Sequence, residues 1–178
     1  LFEEGETGHG AERIVRVGTH TGEDQLPSRL EQHFLTPNKD RSIFRKNIGR
    51  ALLQRAADPF LAAWEIDLTS RAQRERYGAS VDPQRLRDVE GEVSRYIQRA
   101  FSFVVFAVAG KEQRLRLESR IISTISRCAR CGPSADWLGR HSPKERIRES
   151  GLWLVNELYK EPCGAADLET IRALAGPP

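Results

Sequence analysis

The longest apolar run of the chain, from Phe101 to Ala109, places the strongest constraint on the fold. It is far shorter than the roughly 20 residues that a membrane-spanning helix needs. A run of this length with no polar alternation is typical of a central strand that is covered on both faces. The sequence therefore predicts a sheet with helices packed around it.

Two more strands are predicted at the start of the chain. Leu1 to Glu4 is the first, Gly5 to Gly10 is a loop, and Arg13 to Val17 is the second. Trp64 to Leu68 alternates and could be a further strand. Apolar stripes and start signals predict helices at 26–34, 41–57, 82–99, 111–127, 144–150, 152–160 and 165–175. This order predicts an α+β fold with a small mixed three-stranded sheet flanked by helices, in one domain over 1–178.

The composition bounds the kind of protein. Of the 178 residues, 30% are charged and 39% hydrophobic, which is a soluble globular balance. The net charge is only +3, so any affinity for nucleic acid has to come from local charge. No signal peptide is visible and the cysteines number three, which favours reduced thiols in a cytoplasmic protein. The chain begins at Leu1 and contains no methionine, so it is expected to be a fragment.

Glu118 is the residue that points most strongly to a site. At about 100° per residue, the apolar residues of the 111–127 helix form one arc, and Glu118 falls inside it between Ile125 and Ile122. A carboxylate there is costly to desolvate unless a cation or hydrogen-bond donors meet it. Glu118 is therefore predicted to bind a metal or an arginine. The alternatives are a structural ion pair and a side chain that reaches water.

Three more residues are candidates for phosphate chemistry. Arg29 and His33 are four positions apart, so they share one helix face. The guanidinium offers a planar fork of donors to a phosphate, and the imidazole can donate a hydrogen bond or transfer a proton near neutral pH. His20 follows the second strand and Gly18, where a ligand can approach closely. Taken alone, such residues more often belong to a solvated helix face or a loop than to a site.

Basic residues concentrate just after the first predicted helix, where Asp40 is the one acidic residue among them. Such a patch suits a DNA backbone, with an affinity that falls as the salt concentration rises. The alternative is an ordinary solvated helix face, since arginine is common throughout the chain. The residues predicted to hold flanking phosphates are Lys39, Arg41, Arg45 and Lys46.

The cysteines give a weaker signal. Cys128 and Cys131 have the spacing of half a zinc site, and His141 and Cys163 could complete a tetrahedral set. The second half lacks a closely spaced pair, which favours free thiols over zinc.

Taken together, these pieces resemble the GIY-YIG nuclease superfamily. Its second motif is a strand that ends in Tyr-Ile-Gly, matched here by Arg16-Val17-Gly18. Next comes a helix with an arginine and often a histidine four residues later, matched by Arg29 and His33. A glutamate on the helix after the third strand holds the metal, and Glu118 matches it.

The rest of the chain looks like a bacterial subset of the same superfamily. The similar segments are Ser42-Ile43-Phe44-Arg45, Trp137-Leu138-Gly139 and Ser150-Gly151-Leu152-Trp153. Against the family pattern, residues 41–99 look like a helical insertion and residues 132–178 like a C-terminal extension. The first motif, with its tyrosine, is expected before Leu1, and Arg16 stands where the second motif has its tyrosine.

The resemblance implies a metal-dependent endonuclease that hydrolyses DNA, with no small-molecule cofactor. Glu118 would hold Mg²⁺ or Mn²⁺ and Arg29 would stabilise the transition state. His33 or His20 would orient or deprotonate the water in place of a tyrosine. One alternative is a domain that binds nucleic acid without cutting it. The other is a protein-interaction module built on Trp137, Trp153 and the C-terminal helices.

Overall fold

The computed structural model describes residues 1–20, 22 and 24–176. The chain begins with a hairpin of strands β1 (Phe2–Gly8) and β2 (Ala11–Ile14), joined by a two-residue turn. The turn residues His9 and Gly10 have φ of 54° and 81°, and positive φ at both positions is what a tight hairpin turn requires. Most of the stretch from Gly5 to Gly10, predicted as a loop, is therefore strand.

The sheet has three strands in the order β2-β1-β3, where β3 is Phe101–Ser102. Both strand pairings are antiparallel, with Phe2 opposite Ser102 and Glu3 opposite Phe101. The α+β class with a small three-stranded sheet is confirmed. The sheet is antiparallel rather than mixed, and its central strand is β1.

The apolar run from Phe101 to Ala109 is not the predicted buried central strand. Only its first two residues pair, because β1 begins at Phe2 and the antiparallel register leaves the later residues without a partner on it. Phe103, Val104 and Val105 are 43%, 65% and 53% exposed. Hydrophobicity alone therefore gave a wrong prediction for this segment, because the burial of a strand depends on the strands and helices that pack beside it.

Eight α-helices account for most of the remaining described chain, and no helix within that part is long and apolar enough to cross a membrane. Short 3₁₀ turns lie at Gly78–Ser80 and Leu138–His141. The helices are α1 (Leu26–Phe34), α2 (Ile43–Arg55), α3 (Leu61–Trp64), α4 (Arg71–Tyr77), α5 (Pro83–Ala100), α6 (Lys111–Ser126), α7 (Glu145–Ser150) and α8 (Ala165–Ala175).

Local chemistry explains where the long helices begin. Ser42 accepts a hydrogen bond from the backbone N–H of Arg45 at the start of α2, and Asp82 caps α5 immediately before Pro83.

Two secondary-structure predictions were wrong. The stretch from Trp64 to Leu68 is the end of α3 and irregular chain, not a strand, and residues 152–160 form no helix.

The main core lies where α2 and α5 pack on the sheet. Phe44 and Ile48 from α2 and Val93 from α5 are fully buried. Gly49 allows the ring of Trp64 to lie directly on α2, because an added Cβ would stand 2.3 Å from that ring. This packing fixes α2, whose first turn forms one side of the candidate site.

A buried carboxylate ties the C-terminal half of the chain to the sheet. Trp137 and Trp153 pack together with ring centroids 5.0 Å apart, and each donates its indole N–H to Glu3 at 2.7 Å. Tyr96 also donates to Glu3, and burial raises the pKa of this glutamate. Both tryptophans are at most 2% exposed, so they are core residues and not part of a partner surface.

Candidate functional site

Two contacts hold the segment that follows β2 against distant parts of the chain. The backbone N–H of Thr19 donates to Oε1 of Glu118 on α6 at 3.2 Å. The carbonyl of Val15 accepts the backbone N–H of Trp153 at 2.8 Å. The segment that begins with Arg16 is thereby fixed between α6 and the chain around Trp153.

Glu118 is half-buried at this junction. Burial raises its pKa and the neighbouring carboxylate of Glu157 raises it further, while the Thr19 N–H and the charge of Arg16 lower it. Glu118 therefore lacks full compensation for its negative charge. It is a carboxylate that gains from a cation.

Arg16 lies over the ring of Phe44, with its guanidinium carbon 5.3 Å from the ring centroid. It donates from Nη1 to the carbonyl of Trp153 at 2.7 Å. Burial and the charge of Arg29 lower the pKa of Arg16 to about 10, against the opposing effect of Glu118. Arg16 is therefore charged at neutral pH and belongs to the same electrostatic neighbourhood as Glu118 and Arg29.

Arg29 is held by neutral partners. Its Nη1 donates to Oε1 of Gln32 at 2.8 Å and to the carbonyl of Arg41 at 3.4 Å. Among residues 1–20, 22 and 24–176, neither Arg29 nor Arg16 is within 4.0 Å of a carboxylate. Two guanidinium groups without a paired carboxylate are available to an anion.

His33 is close enough to these arginines to respond to their charges. Its Nδ1 is 2.7 Å from the hydroxyl of Ser42, and its ring packs edge-on against Phe44 with centroids 5.7 Å apart. Burial lowers the pKa of His33 to about 3, helped by the charges of Arg16, Arg29 and Arg45. The imidazole is therefore neutral across the physiological range and is too weakly basic to take a proton from water.

One ring nitrogen of His20 is assigned by its hydrogen-bond partner. Its Nδ1 is 2.6 Å from the carbonyl oxygen of Gly22, and a carbonyl can only accept. Nδ1 must therefore carry the proton, which leaves the lone pair of Nε2 free in the neutral ring. His20 directly follows Thr19, whose N–H meets Glu118, so a potential base lies next in sequence to the glutamate contact.

The predicted phosphate contacts need correction, because three of the four cations are used inside the fold. Arg45 is fully buried in an ion pair with Glu90, Nη2 to Oε2 at 2.8 Å. Lys39 is buried, with Nζ donating to Asp40 at 2.7 Å and to the carbonyl of Ile66. Lys46, 12% exposed at its side chain, donates to the carbonyl of Glu65 at 3.0 Å. Arg41 alone of the four is exposed.

Comparison with known sequences settles the family. The family model described as the GIY-YIG domain matches residues 1–175. The chain belongs to the GIY-YIG domain family. GIY-YIG domains are generally nucleases, so membership suggests nuclease activity in general. Searches of the curated proteins and of the solved structures found no match to this chain.

The site of this GIY-YIG domain contains a residue whose role the sequence did not reveal. In the sequence, Arg16 stands out only as a departure from the tyrosine of the second motif. In the structure, the charge of Glu118 raises the pKa of Arg16 and the charge of Arg29 lowers it. A basic residue just after a strand, two positions before the glycine of a motif, was the available signal. The structure brings Arg16, Arg29, His33 and Glu118 into one neighbourhood, with His20 beside it in sequence.

A groove of about 610 Å³ lies between the segment that precedes α2 and helices α4 and α5 of this GIY-YIG domain. It lies beside Arg41, whose carbonyl contacts Arg29, but it does not include Glu118 or His33. Within the described residues, no exposed arginine that lines the groove donates to a carboxylate; Arg74, for example, donates to the carbonyl of Thr69 at 2.6 Å. These arginines are Arg41, Arg74 and Arg87.

A second cluster in the GIY-YIG domain also differs from its prediction. His9 Nε2 lies 3.2 Å from the sulfur of Cys128, and Cys131 joins them, whereas His141 and Cys163 do not among the described residues. The hydrogen bond with His9 lowers the pKa of the Cys128 thiol to about 7, with a further contribution from the backbone N–H of Arg130. The sequence missed His9 because 119 positions separate it from Cys128.

Proposed function

We propose that this GIY-YIG domain is a divalent-metal-dependent endonuclease that hydrolyses DNA phosphodiester bonds. The observation that carries the proposal is the contact between the Thr19 N–H and Glu118, beside Arg16. This contact joins the segment that follows the second motif, Arg16-Val17-Gly18, to Glu118, close to the arginines that can bind an anion. A carboxylate and an anion site side by side suit a reaction in which a metal and a phosphate meet.

The residues present fit a hard divalent cation. Glu118 offers a carboxylate whose Oε2 accepts no hydrogen bond from the part of the chain that is described, and whose charge is under-compensated. Carboxylate oxygens are the ligands that Mg²⁺ and Mn²⁺ take. Glu157 is a poorer metal ligand, because its carboxylate already accepts hydrogen bonds from Ser119 and Lys160. Bound at Glu118, the cation would polarise the scissile phosphate and stabilise the leaving oxygen.

The arginines bind the phosphate in this proposal. Arg29 and Arg16 carry positive charge at partly buried positions, where electrostatic interactions are stronger than in water. The transition state adds negative charge to the phosphoryl oxygens, and preorganised cations stabilise it more than the ground state. Arg29 is the transition-state residue and Arg16 a second phosphate contact, while the Thr19 N–H orients Glu118.

The two histidines take different roles. His33, with its pKa lowered to about 3, positions the phosphate or the water as a neutral group. His20 accepts the proton of the attacking water at Nε2, since Nδ1 is committed to the carbonyl of Gly22. The missing tyrosine of the second motif is replaced by His20 in this role.

The exposed arginines of the groove hold the flanking DNA. Arg41, Arg74 and Arg87 replace Lys39, Arg45 and Lys46 as the expected backbone contacts. Each lost phosphate contact should reduce the salt dependence of DNA binding by about 0.9 in the slope of log K against log salt. The matched control is Arg55→Gln, which removes an exposed arginine of α2 that does not line the groove.

A plasmid-nicking assay with Mg²⁺ tests the site. Glu118→Gln and Arg29→Gln should each lower the cutting rate at least about 100-fold, the usual cost of losing a transition-state contact. Glu112→Gln is the control, because Glu112 is exposed in the first turn of the same helix. If Glu118→Gln cuts as fast as Glu112→Gln, the site assignment is wrong.

A second function is favoured by one observation, the presence of Arg16 where the family motif has a tyrosine. An extra guanidinium strengthens anion binding without supplying a base, as expected of a domain that binds nucleic acid but does not cut it. That function predicts salt-sensitive DNA binding that Arg29→Gln weakens, with no nicking by the parent protein in Mg²⁺ or Mn²⁺. Loss of nicking in His20→Ala, with unchanged DNA binding, would instead support the endonuclease.

A further inference from the structure

Three potential metal ligands meet at the tip of the β1–β2 hairpin. The Nε2 atom of His9 and the sulfurs of Cys128 and Cys131 all lie within 4.8 Å of one another. The histidine comes from the hairpin turn, and the cysteines come from the loop that follows α6. The cluster therefore joins two elements that are far apart in sequence.

The spacing of these atoms is close to that of a metal site. Zn²⁺ binds sulfur at about 2.3 Å and imidazole nitrogen at about 2.0 Å, so tetrahedral ligand atoms stand roughly 3.5–3.8 Å apart. The Nε2 of His9 is already 3.2 Å from the sulfur of Cys128. The backbone turn that links the cysteines is formed, with the N–H of Cys131 donating to the carbonyl of Cys128 at 3.3 Å. Only small side-chain adjustments separate this arrangement from coordination.

The backbone of His9 has the conformation that the hairpin turn requires. A two-residue turn with positive φ at both positions strongly favours asparagine or aspartate followed by glycine. Here the first position is His9, with φ of 54°, followed by Gly10. A non-glycine residue held at positive φ costs free energy, and such residues cluster at functional sites. Histidine is one of the residues that tolerate this conformation, and the turn places its imidazole against Cys128.

The neighbouring strand leaves space for the cluster. A Cβ at Gly8 would lie 3.2 Å from the sulfur of Cys131, tighter than ordinary contact. The absence of a side chain at Gly8 thus lets the sulfur lie directly against the end of β1. His9 is exposed and the two cysteines are half-buried, so a metal ion and a water molecule can reach the site.

We propose that His9, Cys128 and Cys131 bind one Zn²⁺ ion, with water as the fourth ligand. Two thiolates and one imidazole are a ligand set that selects zinc over Mg²⁺ or Ca²⁺. The ion binds the cysteines as thiolates and the histidine as a neutral imidazole, and any protons that these groups carry are released to the solvent. The ion clamps the hairpin tip to the C-terminal end of α6, the helix that carries Glu118. This zinc is separate from the hard cation proposed at Glu118.

The test is metal binding by the purified chain in a reducing buffer. Zinc is removed with a chelator, and the protein is titrated with Co²⁺ and then with Zn²⁺. The parent should bind one equivalent of Co²⁺ with a thiolate charge-transfer band and tetrahedral d–d bands, which zinc abolishes. Cys163→Ser is the matched control and should behave like the parent, because Cys163 is outside the cluster.

Three variants remove the ligands. Cys128→Ser and Cys131→Ser should lose the charge-transfer band and the one-equivalent site. His9→Asn keeps a residue that tolerates positive φ, so it should fold but bind zinc at least about tenfold more weakly. Zinc should raise the melting temperature of the parent and Cys163→Ser by at least about 5 °C, and that of the ligand variants by much less.

Several outcomes would overturn the proposal. They are the absence of a one-equivalent site in the parent, equal loss in Cys163→Ser, and undiminished zinc affinity in His9→Asn. A Cys128–Cys131 disulfide that persists in the reducing buffer would also overturn it. DNA cleavage is not a readout here, so the result is independent of the endonuclease proposal.

Discussion

His33 should make the stability of this protein depend on pH. Its pKa is lowered from an ordinary value of 6.5 to about 3, first by burial and then by the charges of Arg16, Arg29 and Arg45. Between these two pH values the unfolded chain binds a proton at this histidine and the folded protein does not. The free energy of unfolding therefore rises with pH across this window, and falls as the pH drops below about 6.5.

The magnitude follows from the two pKa values. In the unfolded chain the imidazole is about one-quarter protonated at pH 7 and almost fully protonated at pH 5, which integrates to about 2 kcal/mol of lost stability. Below both pKa values the loss would reach about 5 kcal/mol, since one pKa unit corresponds to 1.36 kcal/mol. His33 is only 9% exposed, so solvent screening reduces these values little.

Urea unfolding at pH 7 and at pH 5 measures this effect. From pH 7 to pH 5, the free energy of unfolding of the parent should fall by about 2 kcal/mol more than that of His33→Gln. This difference does not depend on how much stability the variant loses at pH 7 through its lost contact with Ser42. His141→Gln should match the parent, because His141 is exposed. If the parent and His33→Gln differ in pH dependence by less than about 0.5 kcal/mol, the buried neutral histidine is refuted.

Three further perturbations test the electrostatics and packing around the site. Arg29→Gln should leave the melting temperature unchanged or raise it, because the substitution removes a positive charge beside Arg16, whereas the rate of DNA nicking should fall. A clearly lower melting temperature would contradict this prediction. Glu90→Gln should cost about 3–5 kcal/mol in urea unfolding, because it leaves the buried charge of Arg45 uncompensated, and adding Arg45→Met should recover part of the loss. Gly49→Ala should cost about 1–3 kcal/mol, since its Cβ would overlap the ring of Trp64, and an unchanged unfolding free energy would mean that this contact is not made.

The helices were the most predictable part of the fold, because their signals are local. The predicted spans 26–34 and 165–175 agree with α1 and α8 residue for residue. Asp82 followed by Pro83 placed the start of α5 from chemistry confined to one turn. The strands were less predictable, since a strand exists only where a partner runs beside it. The run after Phe101 has strong apolar character but β1 pairs with only two of its residues.

In the candidate site, too, the features that depend on local sequence were predictable and those that depend on distant residues were not. Glu118 was predictable because helical periodicity showed a carboxylate within an apolar arc, and the structure places it half-buried against Thr19. The basic patch was misleading, because the sequence cannot show that Glu90, 45 positions from Arg45, lies opposite it. The His9 cluster was hidden for the same reason. Contacts between distant positions decide whether a charge is a ligand, a surface group or an internal partner.

The charges around Glu118 imply that cation and phosphate binding are coupled. Arg16 and Glu118 compensate each other in part, while Arg29 opposes Arg16. Once Glu118 is occupied by a cation, Arg16 loses its counter-charge, and a phosphate then restores the balance. Mn²⁺ alone should therefore bind weakly, and a short DNA oligonucleotide should raise its affinity by roughly 5- to 150-fold, with the reciprocal gain for DNA. Electron paramagnetic resonance of free Mn²⁺ measures this directly. Equal Mn²⁺ affinity with and without DNA would show that Glu118 and the two arginines act independently.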